Sequence, residues 1–167
     1  MQKESRIFVV DLDGTFIKND LFIELLIMNL VKSFREVISI FFSRGIVGLK
    51  QFVFVNHEFS ENQVLINHNV LEIVREKKAL GYFIILATAS PQVYADFVAN
   101  TWNIFDKAYG STDQINLKGS EKLKLILSIS GGKTFEYIGD SRVDNIIFKH
   151  CSTFYKVIQK EVYEFTN

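Results

Sequence analysis

The string Asp11-Leu12-Asp13-Gly14-Thr15 is the part of the sequence best suited to chemistry. It directly follows the apolar run Ile7-Phe8-Val9-Val10, which is typical of a buried strand. Two carboxylates on one turn can divide the work of phosphoryl transfer. One attacks phosphorus to form an acyl phosphate, and the other protonates the leaving oxygen and then activates water. The alternative is an Asp-Gly turn with two solvated carboxylates, and we favour the catalytic interpretation.

Two later segments carry candidate phosphate-binding groups. Thr88 ends the apolar run 82–87, so its hydroxyl group and the backbone N–H groups beside it, including that of Ala89, can hold a phosphate oxygen. Ser90 can do the same, although a helix cap before a proline is its favoured role. Lys122 lies in the first turn of a predicted helix and can neutralise both phosphate and nucleophile. Lys118 is the alternative lysine.

A third acidic segment, Gly139-Asp140-Ser141-Arg142-Val143-Asp144, follows another apolar run. Carboxylates at this spacing suit a hard cation such as Mg²⁺, whose remaining ligands are water and substrate phosphate. The alternative is a helix cap with a solvated aspartate. Together with the first motif, the segment gives four candidate metal ligands, which are Asp11, Asp13, Asp140 and Asp144.

Short apolar runs alternate along the chain with segments whose ends are typical of helices. This alternation predicts the α/β fold class, with a parallel sheet covered by helices on both faces. The predicted strands are 7–10, 82–87, 107–109, 135–138 and 154–158. The predicted helices span 60–80, begin at Ser90-Pro91, and run from Ser120 to Gly131.

Segment 16–60 breaks the alternation, because it is too long for a βα loop and too apolar for a linker. We predict that it is a small helical cap inserted after the first strand, and that 1–15 and 61–167 form the α/β core. Its stretch 21–31 contains Glu24 and Asn29 and is shorter than the ~20 residues of a membrane span. We therefore expect no transmembrane span, but a cap surface that can contact a membrane peripherally.

Composition restricts the classes of function. The chain has 167 residues, and its 19 Lys and Arg balance its 19 Asp and Glu, which argues against nucleic-acid binding through a basic surface. A single cysteine, Cys151, favours a reducing compartment, and the first residues show no secretory signal. We expect a cytoplasmic protein that acts on a small molecule. The oligomeric state is left open.

These motifs, in this order, resemble the haloacid dehalogenase (HAD) superfamily across essentially the whole chain, and Ala87-Thr88-Ala89-Ser90-Pro91 resembles its phosphoserine-phosphatase-like branch. The resemblance implies a Rossmann-like sheet, a helical cap, Mg²⁺ and an aspartyl-phosphate intermediate. It implies that Asp11 is the nucleophile and a metal ligand, and that Asp13 is the acid/base. It further implies that Asp140 is a metal ligand and that Asp144 binds the metal or supports a residue that does.

A narrower resemblance is to the HAD-like domain that is fused to 4-hydroxybenzoate-type polyprenyltransferases. It rests on Asp20, Leu49-Lys50, 86–90, 116–119 and 137–141. The 167-residue sequence contains no such membrane enzyme.

The function expected from the sequence is Mg²⁺-dependent hydrolysis of a phosphomonoester. The substrate is a small phosphorylated metabolite or a prenyl or other lipid-linked phosphate. Two alternatives remain, a phosphotransferase that uses the same site and a phosphate-binding module without turnover.

Overall fold

The computed structural model describes residues 6–55 and 57–167. Residues 1–5 of the predicted core and Asn56 of the predicted cap lie outside them. The strands are β1 (Ile7–Val10), β2 (Phe83–Pro91), β3 (Lys107–Ser111), β4 (Phe135–Gly139), β5 (Thr153–Ile158) and β6 (Glu161–Thr166). The α-helices are α1 (Leu21–Val55), α2 (His68–Ala79), α3 (Gln92–Trp102), α4 (Ser120–Ser130) and α5 (Asn145–Phe148).

One six-stranded sheet organises the described chain, in the order β3-β2-β1-β4-β5-β6. Strands β1 to β5 are parallel, which confirms the predicted α/β class, and β6 pairs antiparallel with β5. The strand order reverses direction between β1 and β4, where Val10 is in register with Ile138. Ligands of open α/β sheets bind beyond the carboxyl ends of strands at such a reversal.

Alternate residues of each strand face opposite sides of the sheet and bury two separate cores. Phe8 and Val10 of β1 pack in the core that includes α2 and α3, together with Leu86 of β2. Ile7 and Val9 pack in the core that includes α4 and α5. Both faces are therefore covered by helices, as a parallel sheet requires.

The predicted helix 60–80 is wrong in its first part. A single 3₁₀ turn, Glu61–Gln63, follows Ser60 with the expected capping box, and α2 begins only at His68. The chain between them is extended because Ile66 forms a β-bridge with Ile17 and the N–H of Leu65 donates to Asn19 Oδ1. Contacts distant in sequence thus override the local helix-start pattern.

Helix α1 forms the expected insertion after β1. Its inner side buries Leu25, Val37 and Leu49 against the main core. The backbone is not helical at Ser33 and Gly45, so α1 consists of three shorter helical stretches. The domain boundaries at 16 and 60 remain a prediction.

By length and composition, α1 is long and apolar enough to cross a membrane. It is longer than the apolar stretch 21–31 considered in the sequence. However, Ser33 and Gly45 interrupt it, so every unbroken helical stretch of α1 is shorter than the ~20 residues of a membrane span.

Strand β6 has no counterpart among the predicted strands. A two-residue turn, Gln159 and Lys160, joins it to β5, and both residues have positive φ. The carbonyl oxygen of Lys160 accepts a hydrogen bond from Asn67 Nδ2 at 3.3 Å, which fixes the turn to the start of α2.

A buried and an exposed phenylalanine allow a test of the core packing around β1. Phe8 is fully buried against Tyr82 and Tyr155, whereas Phe42 on α1 is 81% exposed. We expect Phe8→Ala to lower the free energy of unfolding by about 3–5 kcal/mol. Phe42→Ala, the matched control, should change it by less than about 0.5 kcal/mol. Urea denaturation followed by circular dichroism measures both, and equal losses would contradict the described core.

Candidate active site

Asp11 and Lys122 form a buried ion pair at the carboxyl end of β1. Lys122 Nζ lies 2.5 Å from Asp11 Oδ1, and the two side chains are 3% and 11% exposed. Asp11 also accepts a hydrogen bond from Thr15 Oγ1 at 3.1 Å, and its N–H donates to the carbonyl oxygen of Ile138 at 3.0 Å. Its carboxylate is therefore fixed between β4 and the first turn of α4.

Tyr137 connects this ion pair to Asp144. The hydroxyl group of Tyr137 accepts from Lys122 Nζ at 3.2 Å and donates to Asp144 Oδ1 at 2.9 Å. Asp144 Oδ2 also accepts from the N–H of Ser141 at 3.2 Å. Burial alone would lower the pKa of Lys122, but Asp11 and Asp144 outweigh it and raise the pKa. Lys122 therefore stays charged.

Asp11, Asp140 and Asp144 each offer a carboxylate oxygen within 4.8 Å of the others. Burial, together with Asp11 and Asp144, raises the pKa of Asp140 to about 7. One lysine neutralises only one of the three negative charges that these carboxylates carry when ionised, so the group favours a bound cation. Its donors are all oxygen atoms, which Mg²⁺ prefers. These residues therefore fit the cation that the sequence motifs imply.

Gly14 makes room for this group. Its φ is +77°, and a Cβ atom built there would lie 2.2 Å from Asp140 Oδ2. A larger residue would strain the backbone and displace the carboxylate of Asp140. The glycine of the first motif is thus required by geometry.

Asp13 lies in a different environment from Asp11. Its Oδ2 atom accepts hydrogen bonds from Ser90 Oγ at 2.7 Å and from Thr88 Oγ1 at 3.2 Å. Its Oδ1 atom is buried, and among the described residues it has no hydrogen-bond partner. Burial raises the pKa of Asp13 to about 6, although the hydrogen bond from Ser90 opposes the shift. The carboxylate is not part of the acidic group around Asp140.

A cavity of about 230 Å³ joins these groups. Thr88, Ala89 and Lys122 line it together with the four aspartates of the two motifs, so the predicted site residues converge on one space. The cap contributes Lys50, whose Nζ donates to the carbonyl oxygen of Ala89 at 3.2 Å. Lys118 also lines the cavity, but its side chain is exposed and it forms none of the described ion pairs with the aspartates.

The sequence interpretation missed two parts of the site. The sequence favours a helix cap over phosphate binding for Ser90, yet α3 begins at Gln92 with Pro91 at the cap position, and the hydroxyl group of Ser90 donates to Asp13. For Tyr137 the sequence predicts only a position in a strand. The apolar pattern of β4 predicts a buried side chain at Tyr137, but it does not show which group the hydroxyl contacts. Cys151 is buried away from the cavity, and burial raises its pKa to about 11, so a thiolate nucleophile is disfavoured.

Replacing Gly14 tests the acidic group. Gly14→Ala should abolish the rise in melting temperature that Mg²⁺ produces, because the new Cβ atom displaces Asp140. Gly132→Ala is the matched control, since φ there is +78° and no atom lies within 4 Å of the added Cβ. Both variants carry a similar backbone strain of about 1 kcal/mol. Differential scanning fluorimetry over a Mg²⁺ titration measures the shift, and an undiminished response of Gly14→Ala would argue against a cation at these carboxylates.

Solved structures share this architecture. A substrate-bound phosphoserine phosphatase superposes with a TM-score of 0.61 at 17% identity, covering 93% of this chain and 87% of that one. A HAD-family hydrolase from Salmonella enterica serovar Typhi gives a TM-score of 0.62 at 16% identity, covering 87% of this chain and 60% of its own. A predicted phosphoglycolate phosphatase from Haemophilus somnus gives 0.59 at 15% identity, covering 93% and 85%.

Sequence comparison adds one relative. The protein y4nM of Sinorhizobium fredii, whose function is uncharacterised, is 30% identical over 146 residues, or 86% of this chain. The chain spans only 28% of the length of that relative. No family model matches the chain. The structural neighbours nevertheless confirm the resemblance drawn from the motifs at the level of architecture: the chain has the fold of the HAD-superfamily hydrolases.

Proposed function

We propose that the protein is a Mg²⁺-dependent phosphomonoester hydrolase that acts through an aspartyl phosphate on Asp11. One observation carries the proposal. The two aspartates of one turn face different partners, since Asp11 faces Lys122 and the acidic group, and Asp13 faces two hydroxyl groups. The fold shared with a phosphoserine phosphatase supports it.

The phosphate group of the substrate would bind between the carboxyl ends of β1 and β2. Lys122 neutralises its charge, while the backbone N–H of Ala89 and the hydroxyl group of Thr88, once it turns away from Asp13, are the candidate donors to its oxygens. Asp11, Asp140 and Asp144 would hold Mg²⁺. Asp13 is the fourth candidate ligand, but its carboxylate lies outside this group and contacts Thr88 and Ser90. When bound, the cation offsets the repulsion between a carboxylate and a phosphate dianion.

In the first step, a carboxylate oxygen of Asp11 attacks phosphorus, and the bond from phosphorus to the leaving oxygen breaks. Asp13 donates its proton to that oxygen, which departs as an alcohol. In the second step, Asp13 accepts a proton from water as the water oxygen attacks the phosphorus of the aspartyl phosphate. Inorganic phosphate leaves and the Asp11 carboxylate is restored. The raised pKa of Asp13 suits a group that donates and accepts one proton near neutral pH.

The acceptor and the substrate distinguish this proposal from its alternatives. A phosphotransferase would use the same residues with another acceptor in place of water. A phosphate-binding module would hold the ligand without turnover. We propose a small phosphorylated metabolite or a lipid-linked phosphate as substrate, and a cytoplasmic location.

Hydrolysis of para-nitrophenyl phosphate tests the proposal. We expect phosphate release that requires Mg²⁺, no release by Asp11→Asn, and release reduced by about 10²–10⁴-fold in Asp13→Asn. Because nitrophenolate leaves without protonation, Asp13→Asn should still become phosphorylated and should accumulate the intermediate. Intact-mass spectrometry after rapid quenching measures one added phosphoryl group on Asp13→Asn and none on Asp11→Asn.

Near-normal turnover by Asp11→Asn, or label on another residue, would contradict the aspartyl phosphate. Binding of phosphate with no turnover of any phosphomonoester would favour the binding module. Release that depends on an added alcohol would favour the phosphotransferase.

Alanine variants of Lys122 and Lys118 test which of the two lysines binds the phosphate group. Lys122→Ala removes the ammonium group beside Asp11 and should lower kcat/KM by about 10²–10³-fold. Lys118→Ala should lower kcat/KM by less than about tenfold, because its exposed charge is screened by solvent. Steady-state kinetics at saturating Mg²⁺ measures both, with circular dichroism to verify folding. Equal losses would assign phosphate binding to both lysines.

A further inference from the structure

The outer face of α1 carries an exposed stripe of large apolar side chains. In its middle stretch, Phe34, Ile38, Phe41 and Phe42 occur at a helical spacing that places them on one side. Phe34 is 63% exposed and Phe42 is 81% exposed. Val37, at one edge of this side, is buried against the core. The middle stretch is therefore apolar towards both the protein and the solvent.

Large apolar side chains are also exposed on the other two stretches of α1. Of the twenty large hydrophobic residues that are exposed in the described chain, ten lie on α1. Those outside the middle stretch are Ile23, Ile27, Met28, Val31, Ile46 and Val55. A large exposed apolar surface on a soluble protein usually marks a contact with another surface.

The charges beside the stripe are mainly positive. Between residues 31 and 46, the basic residues Lys32, Arg35 and Arg44 are exposed. The sequence of this segment contains a single acidic residue, Glu36. The whole chain has a net charge of zero, so this excess is local. An apolar helical face flanked by basic residues is complementary to the surface of an anionic bilayer.

The shape of α1 favours a helix that lies on a membrane. The stretches separated by Ser33 and Gly45 are each about 15–18 Å long, roughly half the ~30 Å hydrocarbon core of a bilayer. Val37 and Leu49 hold the inner side of the same helix against the protein core. An orientation across the membrane would remove those contacts, whereas an orientation in the interfacial plane keeps them.

We propose that the outer face of α1 docks the protein on the surface of an anionic membrane, with the rings of Phe34, Phe41 and Phe42 inserted among the acyl chains and Arg35 and Arg44 at the headgroups. A second copy of the chain is a poorer occupant, because two such faces in contact would bring like charges together. Lys50, near the end of α1, lines the cavity of the candidate active site. Docking therefore places that cavity close to the bilayer surface.

Vesicle sedimentation tests the proposal with the full chain. The probes are vesicles of phosphatidylcholine alone and vesicles in which about a third of the lipid is an anionic phospholipid. We expect the protein to sediment with the anionic vesicles, and salt to weaken this binding. The variant Phe34→Ser/Phe41→Ser/Phe42→Ser should bind at least about tenfold more weakly. Arg35→Gln/Arg44→Gln should lose the preference for anionic lipid.

The matched control is Leu65→Ser/Leu80→Ser/Ile158→Ser, which removes three apolar side chains that are 46–59% exposed outside α1. It should sediment like the wild type. Melting temperatures close to that of the wild type verify that each variant is folded. The proposal is overturned if no vesicle carries the protein down, or if the triple phenylalanine variant sediments like the wild type. A dimer in light scattering that this variant abolishes, without vesicle binding, would assign the face to a second copy instead.

Discussion

Three carboxylates share one buried ammonium group at the end of the sheet, and the rest of the site depends on this balance. Asp11, Asp140 and Asp144 come from the ends of β1 and β4, which are neighbours in parallel register. Removing charged groups from water is costly unless each finds a partner. Lys122 lies within 4.0 Å of Asp11 and Asp144, and the hydroxyl group of Tyr137 bridges it to Asp144.

Two glycines make that crowding sterically possible. Gly14 leaves space for Asp140, and a Cβ atom on Gly139 would lie 2.9 Å from Asp144 Oδ2. On the other side of the first turn, Thr88 and Ser90 hold Asp13 by neutral hydrogen bonds. Burial raises the pKa of both carboxylates, and the ion pair with Lys122 opposes the shift at Asp11, whereas the hydrogen bond from Ser90 opposes it at Asp13. A single turn therefore presents two buried carboxylates with different partners.

The sequence predicted the features that follow from local patterns. Asp11 and Asp140 each follow an apolar run, and parallel strands end at one edge, so their convergence could be expected. Lys122 follows a recognisable helix start. The features that were missed depend on distant contacts. Ser90 meets Asp13 across 77 positions of sequence, and the delayed start of α2 follows from the pairing of Ile66 with Ile17. Strand β6 (Glu161–Thr166) contains no long apolar run, and its pairing with β5 makes it a strand.

The antiparallel strand β6 has a consequence for how the chain behaves in solution. It covers the edge of β5, whose residues Phe154, Tyr155 and Val157 would otherwise border an open row of backbone donors and acceptors. An uncovered apolar edge pairs readily with the edge of another molecule, which leads to aggregation. β6 replaces that edge with one that carries Glu161 and Glu164 and exposes five of its six residues. A chain shortened to Ile158 would keep every residue of the candidate active site and lose its protection against self-association.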